Sequence, residues 1–153
     1  MRATESDLQT LFRFFNEIGI VAQLSATAFE KVMPPGMTLP QFVVLNHLSR
    51  LGDGRTPLSI AQAVQVTKGA MTNTLGHLEG KGLITLAPDP HDGRSKRVFM
   101  TQDGQAARLA AIEALGPELS GVAGEIVLSD IADVLPVLEN LRKVLDARRN
   151  PKI

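Results

Sequence analysis

Two short capped helical segments are followed almost at once by a turn-rich hairpin, and this succession constrains the fold of the chain most. Ser59-Ile60-Ala61-Gln62 has the pattern of a capping box and predicts a short helix closing near Val64. Gln65 and Val66 turn the chain, and Thr67 caps a second helix that runs to about Gly80 or Lys81, with Gly82 just beyond its end. Leu83–Ala87 and Arg97–Met100 then read as strands around Pro88-Asp89-Pro90-His91-Asp92-Gly93, a stretch dense in turn formers. The expected product is a helix-turn-helix with a basic hairpin beside it.

Long helices flank this unit. Leu8, Phe12, Phe15, Gly19, Ala22, Ala26, Phe29 and Met33 recur at three- and four-residue steps, predicting one amphipathic helix over Ser6–Val32 that Pro34-Pro35-Gly36 stops. Thr38 and Gln41 form the capping box of a second helix, with Phe42, Leu45 and Leu48 inward and Val44 at the edge of that stripe. Thr101 caps a further helix, which Gly116-Pro117 should kink or split. A last helix starts near Ser129 with Ile131, Leu135, Leu138, Leu141 and Leu145 on one face, and Pro136 predicts a kink or a late start.

Composition narrows the function classes. With 153 residues the chain suits a single domain with a real core. It has no cysteine, which removes disulfides and thiolate chemistry. The polar N-terminus carries no secretory pattern and no apolar run approaches the roughly 20 residues of a membrane span, so a cytoplasmic protein without membrane contact is expected. His47, His77 and His91 have no partner at metal-ligand spacing, and neither a nucleophile motif nor a phosphate-binding loop is present. Neither an enzyme nor a cofactor is expected.

Net charge is zero, yet its distribution is uneven. Between Gly54 and Thr101 there are six cations (Arg55, Lys68, Lys81, Arg94, Lys96, Arg97) against three anions (Glu79, Asp89, Asp92), so the flanks are correspondingly acidic. Winding residues 68–81 at about 100° per residue puts Met71, Thr74, Leu75 and Leu78 on one face. Gly69, Asn73 and Gly76 fall opposite, flanked by Thr72 and His77. Two glycines on the open side of a helix cost roughly 1 kcal/mol each relative to alanine. Close approach to a phosphate backbone or a base edge would account for them. Asn73 suits a bidentate contact to adenine, Thr72 a thymine methyl, and Lys68 a phosphate. Arg94, Lys96 and Arg97 would reach phosphates or a minor groove, with Asp92 holding the Arg94 guanidinium in one rotamer. The absence of Trp and Tyr argues against single-strand stacking.

Three segments together resemble the MarR family of winged helix-turn-helix regulators: Thr38–Leu45, Thr67–Ile84, and Asp89–Gly104 with Asp92, Arg94 and Thr101 in the wing pattern. The resemblance implies a mainly α (α+β) fold in which residues 37–101 form the DNA-binding lobe. Residues 1–36 and 102–153 would be the helices of a homodimer. It further implies a pseudo-palindromic double-stranded operator, usually repressed, with Thr67, Lys68, Gly69, Thr72, Asn73, Gly76, His77, Asp92, Arg94, Lys96 and Arg97 facing DNA. Release by a small aromatic or anionic effector is implied too, with Arg13, Phe14, Phe15, Ile18, Phe42 and Arg50 as the expected lining where helices and lobe meet. The alternative is a winged helix used for protein contacts without DNA binding.

Overall fold

The computed structural model describes residues 3–149. The elements in chain order are α1 (Glu5–Val32), α2 (Leu39–Leu51), α3 (Pro57–Val64), α4 (Lys68–Gly80), β1 (Ile84–Pro88), β2 (Lys96–Met100), α5 (Gln102–Ala114), α6 (Gly116–Ala123) and α7 (Leu128–Arg149). The succession of helices and hairpin is the one the sequence predicts. The differences in the helix starts lie in the caps, and each has a local cause.

The first helix begins one residue early because Thr4 and Asp7 form a reciprocal capping box, the Asp7 carboxylate accepting from the Thr4 N–H at 2.8 Å. Those bonds to Thr4 also hold the Asp7 carboxyl below its ordinary pKa. For α2 the Thr38/Gln41 box is present as expected. In α3 the Ser59 cap is a correction. The helix starts a turn earlier, with Thr56 accepting from the Ser59 N–H at 3.2 Å and Pro57 in the first turn. Proline there has its φ already set and no N–H to leave unpaired, so Thr56-Pro57 outcompetes Ser59 as a start signal. Gln65 closes α3 in the left-handed region (φ 58°), and Thr67 caps α4 through the Ala70 N–H.

The strands pair antiparallel with Ile84 opposite Met100, Leu86 opposite Val98 and Pro88 opposite Lys96. A third rung was not foreseen. Gly54 donates to the Val98 carbonyl at 2.8 Å and Val98 donates to the Arg55 carbonyl at 2.9 Å, joining the α2–α3 loop to the hairpin edge. Gly116-Pro117 splits α5 from α6 as expected. Pro136 neither delays nor ends α7, which already starts at Leu128.

The main hydrophobic cluster lies in the lobe: Val44, Leu45 and Leu48 of α2, Ile60 and Ala61 of α3, Met71, Leu75 and Leu78 of α4, Ile84 of β1 and Val98 of β2. Ala111 of α5 and Leu115 after it are buried outside that cluster. Val44 is therefore a full core residue rather than an edge one, while Phe42 is only half-buried. Gly104 marks the join between hairpin and α5, since a Cβ there would lie 2.0 Å from the Leu83 carbonyl oxygen. Thr101 fastens the same join by donating its hydroxyl to the Gly82 carbonyl at 2.7 Å. By contrast α1, α6 and α7 have no buried residue, and Phe12 is 70% and Leu24 68% exposed.

Candidate nucleic-acid interface

The fourth helix is anchored through Met71, Leu75 and Leu78 and presents Lys68, Gly69, Thr72, Asn73, Gly76 and His77 to solvent. Gly69, Gly76 and Gly80 have ordinary helical backbone, and a Cβ added at any of them would meet nothing within 4 Å. No internal contact or backbone conformation therefore requires these glycines. Thr72 donates its hydroxyl to the Lys68 carbonyl at 2.9 Å, which leaves its methyl as the unengaged part of the side chain.

In the hairpin the carboxylates act differently from expectation. Asp92 does not hold the Arg94 guanidinium; its Oδ1 accepts from the Arg94 backbone N–H at 3.0 Å, closing the turn. The carboxylate that grips a guanidinium is Asp89, whose Oδ2 accepts from Arg97 Nε at 2.8 Å. Arg97 Nη1 also donates to the Gly54 carbonyl at 2.8 Å, so this side chain ties the hairpin base to the α2–α3 loop instead of reaching outward. Asp89 is buried, and the His91 backbone N–H together with Arg97 holds its carboxyl below the ordinary value. The pairing register offered a signal for this contact, because Asp89 follows Pro88, opposite Lys96, and so lies diagonal to Arg97. On the other side of β2, Asp53 Oδ1 accepts from the Met100 N–H at 2.9 Å.

The six central cations thus divide in half. Arg55 donates to the Leu51 carbonyl, Lys81 to the Gly36 carbonyl and Gln41, and Arg97 to Asp89 and Gly54. Lys68, Arg94 and Lys96 make no side-chain hydrogen bond or salt bridge among the described residues and remain available to an external anion.

Of the expected effector residues, Phe15 and Ile18 share a groove and the others lie apart from it. Phe14 lines a groove of about 550 Å³ with Val137, Asn140 and Val144, whereas Phe15 and Ile18 line another of about 430 Å³ with Leu138, Arg142 and Leu145. Arg13 lies beside Leu8 and Phe12. Neither Phe42 nor Arg50 borders any of these grooves. A separate, largely apolar cleft of about 370 Å³ opens inside the lobe among Leu39, Val43, Val64, Val66 and Ala70, and sequence periodicity carried no sign of it. His47 is buried in α2, and burial first, then Arg50 and Arg55, pushes its imidazole below the ordinary pKa.

Among the described residues no helix is long and apolar enough to cross a membrane, and no three acidic or histidine side chains cluster as a metal site. Comparison with known proteins agrees with the geometry. The MarR family profile matches residues 36–95. BadR of Rhodopseudomonas palustris, a transcriptional activatory protein, is 31% identical over 137 residues, covering 87% of this chain and 76% of its own. The transcriptional regulator BldR of Sulfolobus solfataricus superimposes with a TM-score of 0.73 at 26% identity, covering 94% of this chain and 99% of its own. A cysteine-to-serine mutant of E. coli MarR, in complex with operator DNA, shares the fold with a TM-score of 0.67 at 23% identity, over 86% of this chain and 95% of its own. The chain belongs to the MarR family of winged-helix transcriptional regulators.

Proposed function

We propose that this chain is a homodimeric regulator that binds a pseudo-palindromic double-stranded DNA operator. In this reading α4 enters the major groove, and Arg94 and Lys96 of the hairpin meet phosphates or the adjoining minor groove. Residues 37–101 form the reading lobe, and residues 1–36 and 102–153 assemble the dimer. The observation that carries the reading is the outer surface of α4. Three glycines without an internal reason lie beside exposed Asn73 and Thr72, close in the chain to the unengaged cation Lys68. The use of a protein-contact module would leave those glycines and the unengaged arginine at the hairpin tip without a role.

A dimer covering promoter DNA excludes polymerase, so repression is the simplest outcome; BadR, named an activatory protein, is the relative that speaks for the opposite sign. A reporter under the chain's own promoter decides between them. Any small aromatic or anionic effector would bind along the apolar grooves beside α1 and α7 rather than in one pocket joining Arg13, Phe42 and Arg50.

Binding to duplexes selected from a random library, measured at several salt concentrations, tests the core of the proposal. Three unengaged cations per protomer predict a log–log salt slope of roughly 5 for a dimer. Arg94→Ala should weaken binding to every duplex and lower the slope by about 0.9 per protomer. Asn73→Ala should instead relax discrimination at one base pair by about 1–3 kcal/mol. Unchanged affinity of Arg94→Ala for all duplexes would remove the hairpin from the interface.

A further inference from the structure

Lys81 follows the last residue of α4 and belongs to the basic central segment, yet its ammonium is engaged by acceptors of the same chain although the residue is exposed. It donates to the Gly36 carbonyl and to Gln41 Oε1, the latter at 2.8 Å. Gly36 sits in the tight turn between α1 and α2, at φ +82°, where the Met37 N–H closes on the Pro34 carbonyl at 2.9 Å. Gln41 is buried, and the same amide oxygen accepts from the Thr38 N–H at 3.3 Å. One oxygen therefore serves the start of α2 and the end of α4, across 40 residues of chain.

The remaining attachment of α4 to the lobe is largely the apolar stripe of Met71, Leu75 and Leu78. Apolar burial is non-directional and tolerates small rotations, whereas hydrogen bonds weaken steeply away from their axis. A cation beyond a helix C-terminus is also favoured there by the helix dipole. We infer that Lys81 is a positioning residue that fixes the tilt of α4 to the α1–α2 elbow, so that the angle of the long helices is passed to the DNA-facing surface. This inference rests on the proposed role of α4 in DNA binding.

The test uses the full chain, a duplex selected by the wild type from a random library, and the variants Lys81→Met and Lys81→Arg. Lys81→Met keeps the aliphatic stem and removes the donors. It should bind about tenfold more weakly, the loss of charge-assisted hydrogen bonds, with the salt slope unchanged. Lys81→Arg can span both acceptors and should stay within about threefold of wild type. In the free protein, amide exchange over residues 34–41 should rise about tenfold in Lys81→Met. A slope lowered by about 0.9 per protomer with unchanged exchange would make Lys81 a phosphate contact and overturn the inference. Faster exchange with unaltered affinity would overturn it equally, leaving a tie that serves stability alone. If the wild type selects no duplex, the DNA reading itself fails. The elbow-to-helix tie then stands on faster exchange of residues 34–41 and falls on unchanged exchange.

Discussion

The lobe and the long helices are built to different degrees of completeness. From Leu39 to Met100 the chain buries its own apolar side chains, closes its hairpin with a third rung and uses three of its cations as internal ties. Residues of α1, α6 and α7 are comparably apolar, yet none is buried. The same chemistry thus gives a finished unit in one region and an open face in the other. A helix needs something to pack against, and one chain supplies that within the lobe and to α5 but leaves α1, α6 and α7 without a buried residue. The open face, with Phe12, Val21 and Leu24 each more than 60% exposed, exceeds what single scattered surface apolar residues account for.

Breaking the open face should have the largest effect. Phe12→Asp combined with Leu24→Asp is expected to give monomers by sedimentation and to lower affinity for a selected duplex by at least about 100-fold, because two half-sites are no longer engaged together. The lobe should keep its cooperative melting. Dimers that persist in this double variant would place the assembly surface elsewhere.

A change at the join between the lobe and α5 should show the converse. Gly104→Ala puts a methyl group against the Leu83 carbonyl and should destabilise the lobe by about 1–3 kcal/mol while leaving sedimentation unchanged. A melting temperature equal to that of wild type would show that the backbone at this join yields easily.

The smallest effect belongs to His47, which the acidic Asp146 of α7 influences against the depression caused by burial and the two arginines. Its folded pKa lies below the ordinary 6.5, so the unfolded chain takes up its proton first. Stability from this group is full above pH 6.5 and is lost as the pH falls from there to the folded value. His47→Gln should flatten that part of the profile in chemical denaturation. An equally steep decline in the variant would assign the pH dependence to other groups.

Element types were legible in the sequence because caps and periodicity are local signals, as Thr38, Thr67, Thr101 and the Gly116-Pro117 split illustrate. Ser59 misled because two start signals competed within four residues and proline in the first turn decided between them. The exposed surface of α4 followed from winding alone. The Gly54 partner of Arg97 and the partners of Lys81 did not, because those acceptors lie in the α2–α3 loop or the α1–α2 region, 40 or more residues distant in sequence. Charge counts cannot separate a cation that holds the fold from one that faces outward. The six effector candidates do not share one groove, for a related reason. Phe14 and Phe15 are adjacent in sequence, but a helix turns them about 100° apart, and they line different grooves.

The division of the central cations has a kinetic consequence. Non-specific attraction to DNA depends on charges free to displace counterions, and Arg55, Lys81 and Arg97 are already engaged within the protein. A neutral protein with only Lys68, Arg94 and Lys96 unengaged in its basic segment is held weakly by random sequence. Its search along a chromosome would then proceed through brief visits and frequent release rather than long sliding excursions, and residence would lengthen chiefly where base contacts add to the phosphates.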